Sequence, residues 1–183
     1  MVSSLHKDMY QSESLKIDLK GLQEGLTTLE YTLDDTYFQE IESSEISAGQ
    51  VHVKVEIRKT RMFWELMLHT EGLVTIPCNL CMDDMEQLIA ADNRLVVKLG
   101  EEYNEDDELV IVDEDEGILD LSWYIYEFIA LAIPIQHVHA TGKCNPAMMK
   151  ALEELSADRS GDEESSPAVD PRWDALKELR IKS

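Results

Sequence analysis

The sequence predicts an α+β fold: an antiparallel β-rich domain, as a sheet or a partly open barrel. It carries a long C-x-x-C hairpin, one buried amphipathic helix and short C-terminal helices. Three observations predict it. Apolar and charged residues alternate over long runs before residue 100, and the apolar period changes to three and four residues after 120. The tetrapeptide "CNLC" at 78–81 falls where two alternating runs meet. With 183 residues and a hydrophobic fraction of 44%, the chain suits one cored domain with a small appendage.

Taken in order, "SLKIDLKGL" alternates Leu15, Ile17 and Leu19 with charges, and "GLTTLEYTL" continues with Leu29, Tyr31 and Leu33. Asp34 or Asp35 can cap a short helical turn that carries Phe38 and Ile41 inward. "VHVKVEIRKT" is the cleanest strand, with Val51, Val53, Val55 and Ile57 on one face. His52, Lys54, Glu56 and Arg58 share the other. Met62 to Ile76 reads as a long strand with Trp64, Leu66 and Leu68 on one parity, and Gly72 marks a bulge or bend. "CNLC" is then a hairpin turn, and "MEQLIAADNRLVVKLGEEY" is the return strand, interrupted near Asp92 and Asn93. "ELVIV" is a shorter strand.

Residues 120–133 turn helical, with Leu121, Tyr124, Ile125, Phe128, Ile129 and Ala132 on one stripe, Asp120 as the cap and Pro134 as the stop. "NPAMMKALEELS" is a short helix capped by Asn145 with Pro146 in its first turn. The expected organisation is a single β-rich domain over 1–155, an acidic flexible linker over 156–169, and an amphipathic helix over 170–183. The Trp173, Leu176 and Leu179 stripe of that last helix can dock back on the domain or recognise a partner.

Charge is the extreme feature: 38 acids against 16 bases, a net −22. Residues 101–116 hold ten acids and no base, so nearly half of the net charge sits there. Such a field repels phosphate and attracts cations or basic proteins. Its plainer role is a solubilising loop. The start, "MVSSLHKDMY", has no apolar core, so no secretory signal is expected. "ILDLSWYIYEFIALAIPI" carries Asp120 and Glu127 and ends in prolines, which argues for a packed helix against a membrane span. Three cysteines do not make a disulfide framework. A cytoplasmic, reducing setting is expected.

The cysteine pair admits three readings. A structural zinc needs four converging donors. Cys78 and Cys81 supply two, and "HVHATGKC" can supply Cys144 and His139, with His137 as a substitute for the latter. A redox dithiol belongs at a strand-to-helix junction, which this position between strands does not provide. The third reading is simple packing of small side chains without metal. No nucleophile elbow, phosphate loop or H-E-x-x-H accompanies the pair, and the acidic clusters lack the order of a calcium loop. Glu127 is the one unusual carboxylate: a functional acid, or a structural residue held by a partner. Lys54, Arg58, Lys59 and Arg61 form a local basic strip that can touch RNA phosphate or pair with the chain's own acids.

Together, "CNLC", the acidic stretch, the helix pattern at Asp120, Leu121, Glu127, Ile129, Leu131 and Pro134, then Val138, His139 and Cys144, and finally "DPRWDALKELR", resemble the YceD family. These are known as large ribosomal RNA accumulation proteins. The resemblance spans roughly residues 15 to 180. It implies a non-enzymatic role in accumulation or processing of large-subunit rRNA, and possible metal and nucleic-acid binding. Many relatives carry a fuller cysteine cluster near the C-terminus, of which only Cys144 is present here. The expected partner is a basic ribosomal protein or a pre-ribosomal particle, met by Asp106, Asp107, Glu108, Asp113, Glu114 and Asp115 and clamped by the helix bearing Trp173. Direct RNA binding through the basic strip, or a zinc- or thiol-dependent enzyme, are the alternatives.

Overall fold

The computed structural model describes residues 15–41, 45–100 and 109–155. The expected linker, the C-terminal helix with Trp173, and Asp106, Asp107 and Glu108 lie outside the described residues. By contact, the chain divides into Met1–Met149 and Lys150–Ser183. The second unit is described only over residues 150–155, where Lys150 and Glu154 form an i,i+4 ion pair.

Five strands make an open sheet: β2 (Gly25–Leu33), β3 (Ala48–Lys59), β4 (Trp64–Pro77), β5 (Asp84–Leu99) and β6 (Leu109–Val112), side by side in that order. A small second sheet pairs β1 (Lys16–Asp18) with β7 (Ile118–Asp120), antiparallel. Three helices complete the fold: α1 (Asp35–Glu40), α2 (Ser122–Ala132) and α3 (Pro146–Leu155). This is the α+β, largely antiparallel architecture that the alternation predicts. The sheet is open: β2 and β6 are its edges.

Period-two patterning puts each strand's apolar set on one face. In β3, Val51, Val53, Val55 and Ile57 are buried, and in β4 the even positions Trp64, Leu66, Leu68, Val74 and Ile76 match them. They join one core with Tyr37 and Phe38 of α1, Ile125 and Ile129 of α2, and Leu15, Ile17 and Leu119 from around the small sheet. Asp34 caps α1 by accepting the Thr36 N–H at 3.0 Å. The Tyr37 hydroxyl donates to the Ser122 carbonyl at 2.7 Å, tying α1 to the start of α2.

Two expectations need correction. First, β5 is continuous through Asp92 and Asn93, which pair with His69 and Leu68. The long β4 ladder, with the His69 ring bonded to Asp92, overrides the weak strand propensity of those two residues. Second, Gly72 inserts no bulge, because the β3–β4 register runs one-to-one past it. A Cβ there would lie 2.2 Å from the Gln50 carbonyl oxygen, so glycine serves a close approach of two backbones. Within this largely antiparallel sheet, β6 runs parallel to β5. The chain leaves the end of β5 and returns to the level of Val96 before pairing, a detour that local periodicity does not encode.

Asp120 is not the N-cap that the pattern predicts: it closes β7, Leu121 holds the cap position without a side-chain bond, and Asp120 Oδ1 accepts instead from the Ser122 N–H and Oγ–H at 2.9 and 2.6 Å. Helix α2 therefore starts two residues later than the sequence pattern suggests, and it stops where Pro134 forces Ile133 into an extended conformation. Asn145 caps α3, accepting from Ala147 and Met148. Glu127 is exposed on α2 and accepts from the Trp123 indole at 2.9 Å, the held structural role and not a buried acid.

Candidate metal centre

The turn between β4 and β5 is a knuckle. Pro77 and Asp84 are the last cross-strand pair. Inside the turn the Cys78 N–H donates to the Asp83 carbonyl and the Met82 N–H to the Cys78 carbonyl, each at 2.9 Å. Met82 completes the reversal at φ 62, a left-handed conformation that costs a side-chain-bearing residue about 1–2 kcal/mol. The Leu80 N–H points at Cys78 Sγ, 3.5 Å away. The curl aims both thiols to one side, and both are buried.

The segment after α2 supplies the other half. His139 Nδ1 lies 3.4 Å from Cys81 Sγ, Cys144 Sγ lies 3.9 Å from Cys78 Sγ, and Cys144 Sγ lies 3.9 Å from His139 Nδ1. All four donor atoms fall within 4.8 Å of one another, an arrangement that can hold a metal ion. Around a tetrahedral zinc, bond lengths of about 2.3 Å to sulfur and about 2.0–2.1 Å to nitrogen set sulfur–sulfur edges near 3.8 Å and sulfur–nitrogen edges near 3.6 Å. The edges of 3.4, 3.9 and 3.9 Å lie close to those values.

The choice of histidine follows from the other ring nitrogen. His139 Nε2 donates to the Asp84 carbonyl at 3.2 Å, and a carbonyl only accepts. The proton therefore sits on Nε2 and the Nδ1 lone pair faces the sulfurs, the usual outer-sphere support of a metal-binding imidazole. His137 is turned elsewhere. Its Nδ1–H donates to the Pro134 carbonyl at 2.8 Å, and its backbone exchanges hydrogen bonds with Asn79 at 2.7 and 3.0 Å. His137 is a strap that fastens the knuckle to the post-helix segment, not part of the donor group. Asn79 and the Asp84 carbonyl are the supporting groups that sequence reading passes over. Asn79 is an ordinary turn residue by sequence, and a backbone carbonyl has no sequence signature.

The thiols are electrostatically unequal. Burial by itself pushes the Cys78 thiol up, but the N–H groups of Cys81 and Leu80, with the backbone of His139, outweigh it and bring the thiol down to about 6. Burial, and then the neighbouring Cys78 and Cys81 sulfurs, push Cys144 up to about 11. The Cys78 thiolate forms readily and Cys144 resists, because negative charges would crowd together. A divalent cation among them removes that repulsion, and metal binding releases the protons.

The charged candidates are scattered. Lys54 is paired with Glu56 at 2.7 Å on the exposed face of β3. Lys59 donates to the Leu22 carbonyl at 2.6 Å and lies 5.7 Å over the Trp64 ring, while Arg58 and Arg61 are exposed. Asp113, Glu114 and Asp115 are exposed in the β6–β7 turn, where Asp113 Oδ1 accepts the Asp115 N–H at 2.6 Å and Lys20 Nζ donates to the Asp115 carbonyl. Among the described residues no helix is long and apolar enough to cross a membrane.

A family model described as "Large ribosomal RNA subunit accumulation protein YceD" matches residues 66–180, a span that takes in the knuckle and all four donor residues. No curated protein and no solved structure matched the chain.

Proposed function

We propose, since the chain belongs to the YceD family of large ribosomal RNA subunit accumulation proteins, that it supports rRNA accumulation as a non-enzymatic binding factor. Its target in this reading is a basic ribosomal protein or a pre-ribosomal particle. The observation that carries the choice of target is charge. A net −22, with Asp113, Glu114 and Asp115 held outward by their own turn, attracts a basic protein and opposes naked RNA. Of the basic strip, Lys54 and Lys59 are engaged within the chain, which leaves Arg58 and Arg61 as weak support for direct RNA contact.

The metal in this reading is zinc, and its role is structural. Cys78, Cys81, His139 and Cys144 make a full set of four protein donors with no open position for water, the condition of a structural site. When bound it would clamp the knuckle to the post-helix segment. Thiol ligands of this kind suit the reducing cytoplasm.

The test is affinity capture with the full-length protein at low and moderate salt. Large-subunit ribosomal proteins or assembly particles are expected in the eluate. Asp113→Asn with Glu114→Gln and Asp115→Asn, which keep the turn's acceptors, should reduce the yield, more so at low salt. Recovery of neither sinks the reading. Recovery of protein-free rRNA that disappears with Arg58→Glu and Arg61→Glu would replace it with direct RNA binding.

A further inference from the structure

The two edges of the five-stranded sheet are built differently. At one edge β6 is four residues long and runs straight into Asp113, Glu114 and Asp115, so shortness and charge guard it against pairing with another chain. At the other edge β2 spans nine residues, Gly25–Leu33, with no proline and one charged residue, Glu30. It pairs with β3 one-to-one over its whole length, without a bulge. Among the described residues β3 is the only strand that pairs with β2 and the one element in extensive contact with it. Alternate residues of β2 point their N–H and C=O groups away from β3, where no strand, turn or loop hydrogen bond among the described residues takes them up. Leu29 and Tyr31 pack against the core yet stay only partly buried, and Leu26 on the opposite face is 61% exposed. A further strand alongside would cover both faces of β2.

We propose that β2 is the pairing edge for a second copy of this chain, β2 lying antiparallel to β2 about a two-fold axis and joining the two sheets into one. The strand is self-complementary in that arrangement. With the axis at Leu29, the middle residue, Leu29 meets its own copy and Tyr31 meets Thr27 on the core face. On the other face Glu30 meets Thr28 and Leu26 meets Thr32, so no like charges stand directly opposite. Charge selects this occupant. β2 and β3 together carry Lys54, Arg58 and Lys59 against Glu30 and Glu56, a small positive balance that offers a basic partner no local attraction. The acids Asp113, Glu114 and Asp115 follow β6, the opposite edge of the sheet, and salt screens charges beyond about 8 Å at physiological ionic strength.

The experiment follows the full-length protein by sedimentation across a concentration series at physiological salt, with amide exchange measured in parallel. A dimer in equilibrium with monomer is expected, and β2 amides should gain protection as the dimer fills. Leu26→Glu with Thr32→Glu sets the new carboxylates beside Arg58 and His52 within each chain, but opposite each other across the axis. That pair should weaken the dimer about tenfold while β3 and β4 keep their protection. Leu26→Lys with Thr32→Glu puts opposite charges across the axis and should restore it. A monomer at every concentration overturns the proposal, as does a dimer indifferent to the first pair or not restored by the second. Two further results overturn it as well. β2 amides protected equally at all concentrations in a monomer mean that another segment of the chain covers the edge. Protection that appears only on adding a lysine-rich ribosomal peptide gives the edge to a basic partner.

Discussion

Along β3 every second side chain from Val51 to Ile57 is buried, whereas from Ala130 to Leu155 no residue is. The two regions are held by different physics. Each aliphatic side chain that β3 buries contributes about 1.5–3 kcal/mol. The post-helix segment packs only partly buried side chains such as Ile133 against the core and relies more on polar ties. Hydrogen bonds such as those between Asn79 and His137 are worth about 0.5–1.5 kcal/mol each, against about 1–2 kcal/mol for ordering each residue's backbone. A zinc ion at the donor cluster would supply what burial does not, since structural zinc sites bind with about 10–16 kcal/mol of apparent free energy. The difference teaches that the core builds the sheet, and that the knuckle attaches the part of the chain the core cannot reach.

The strongest way to break this contrast is Cys78→Ser with Cys81→Ser. Stoichiometric zinc should be lost, and amide-exchange protection should collapse around 78–84 and 136–145 while β3 and β4 keep theirs. If the sheet unfolds with it, the two regions are one cooperative unit and the contrast is wrong. His139→Ala should behave the same way, but His137→Ala should retain its zinc. The converse perturbation is Leu66→Ala, a fully buried position in β4. It should cost about 2–5 kcal/mol in denaturant unfolding, with zinc content per folded molecule unaltered.

The smallest effect sits on the exposed face of the sheet. The hydrogen bond and charge of Asp92, with help from Glu71, hold His69 above the ordinary histidine value, against solvent loss and Lys54. A raised folded-state value means the contact stabilises fully below the unfolded value and is lost as pH climbs through the folded one. An NMR titration should place His69 above ordinary histidine, and Asp92→Asn should bring it back. Because the pair is solvent-exposed, global stability should barely register the change. An unshifted His69 would remove this contact from the sheet's account.

Much of this was legible in the sequence. The faces of β3 and β4 follow from alternation, because a strand's side-chain period is two whatever it pairs with. The caps at Asp34 and Asn145 follow from short acceptor side chains placed before a helical run, a relation within three residues. The donor set at Cys78, Cys81, His139 and Cys144 was likewise nameable, since few other residues have the chemistry. What escaped was any feature that depends on distant backbone. Gly72 looked like a bulge because nothing local tells of the Gln50 carbonyl, and Asp92 and Asn93 looked like a break because their ladder partner lies in β4.

By itself, then, the sequence determined the alternating strands, the helix after 120, the acidic field and the four candidate donors, all of them properties of residue type and short-range spacing. Only the tertiary structure decided that β6 runs parallel to β5, that β1 finds β7, and that His139 rather than His137 turns a bare nitrogen toward the thiols. The last of these has a single physical cause. The Asp84 carbonyl takes the proton-bearing nitrogen of one ring and the Pro134 carbonyl takes that of the other, and folding alone sets which ring then faces sulfur.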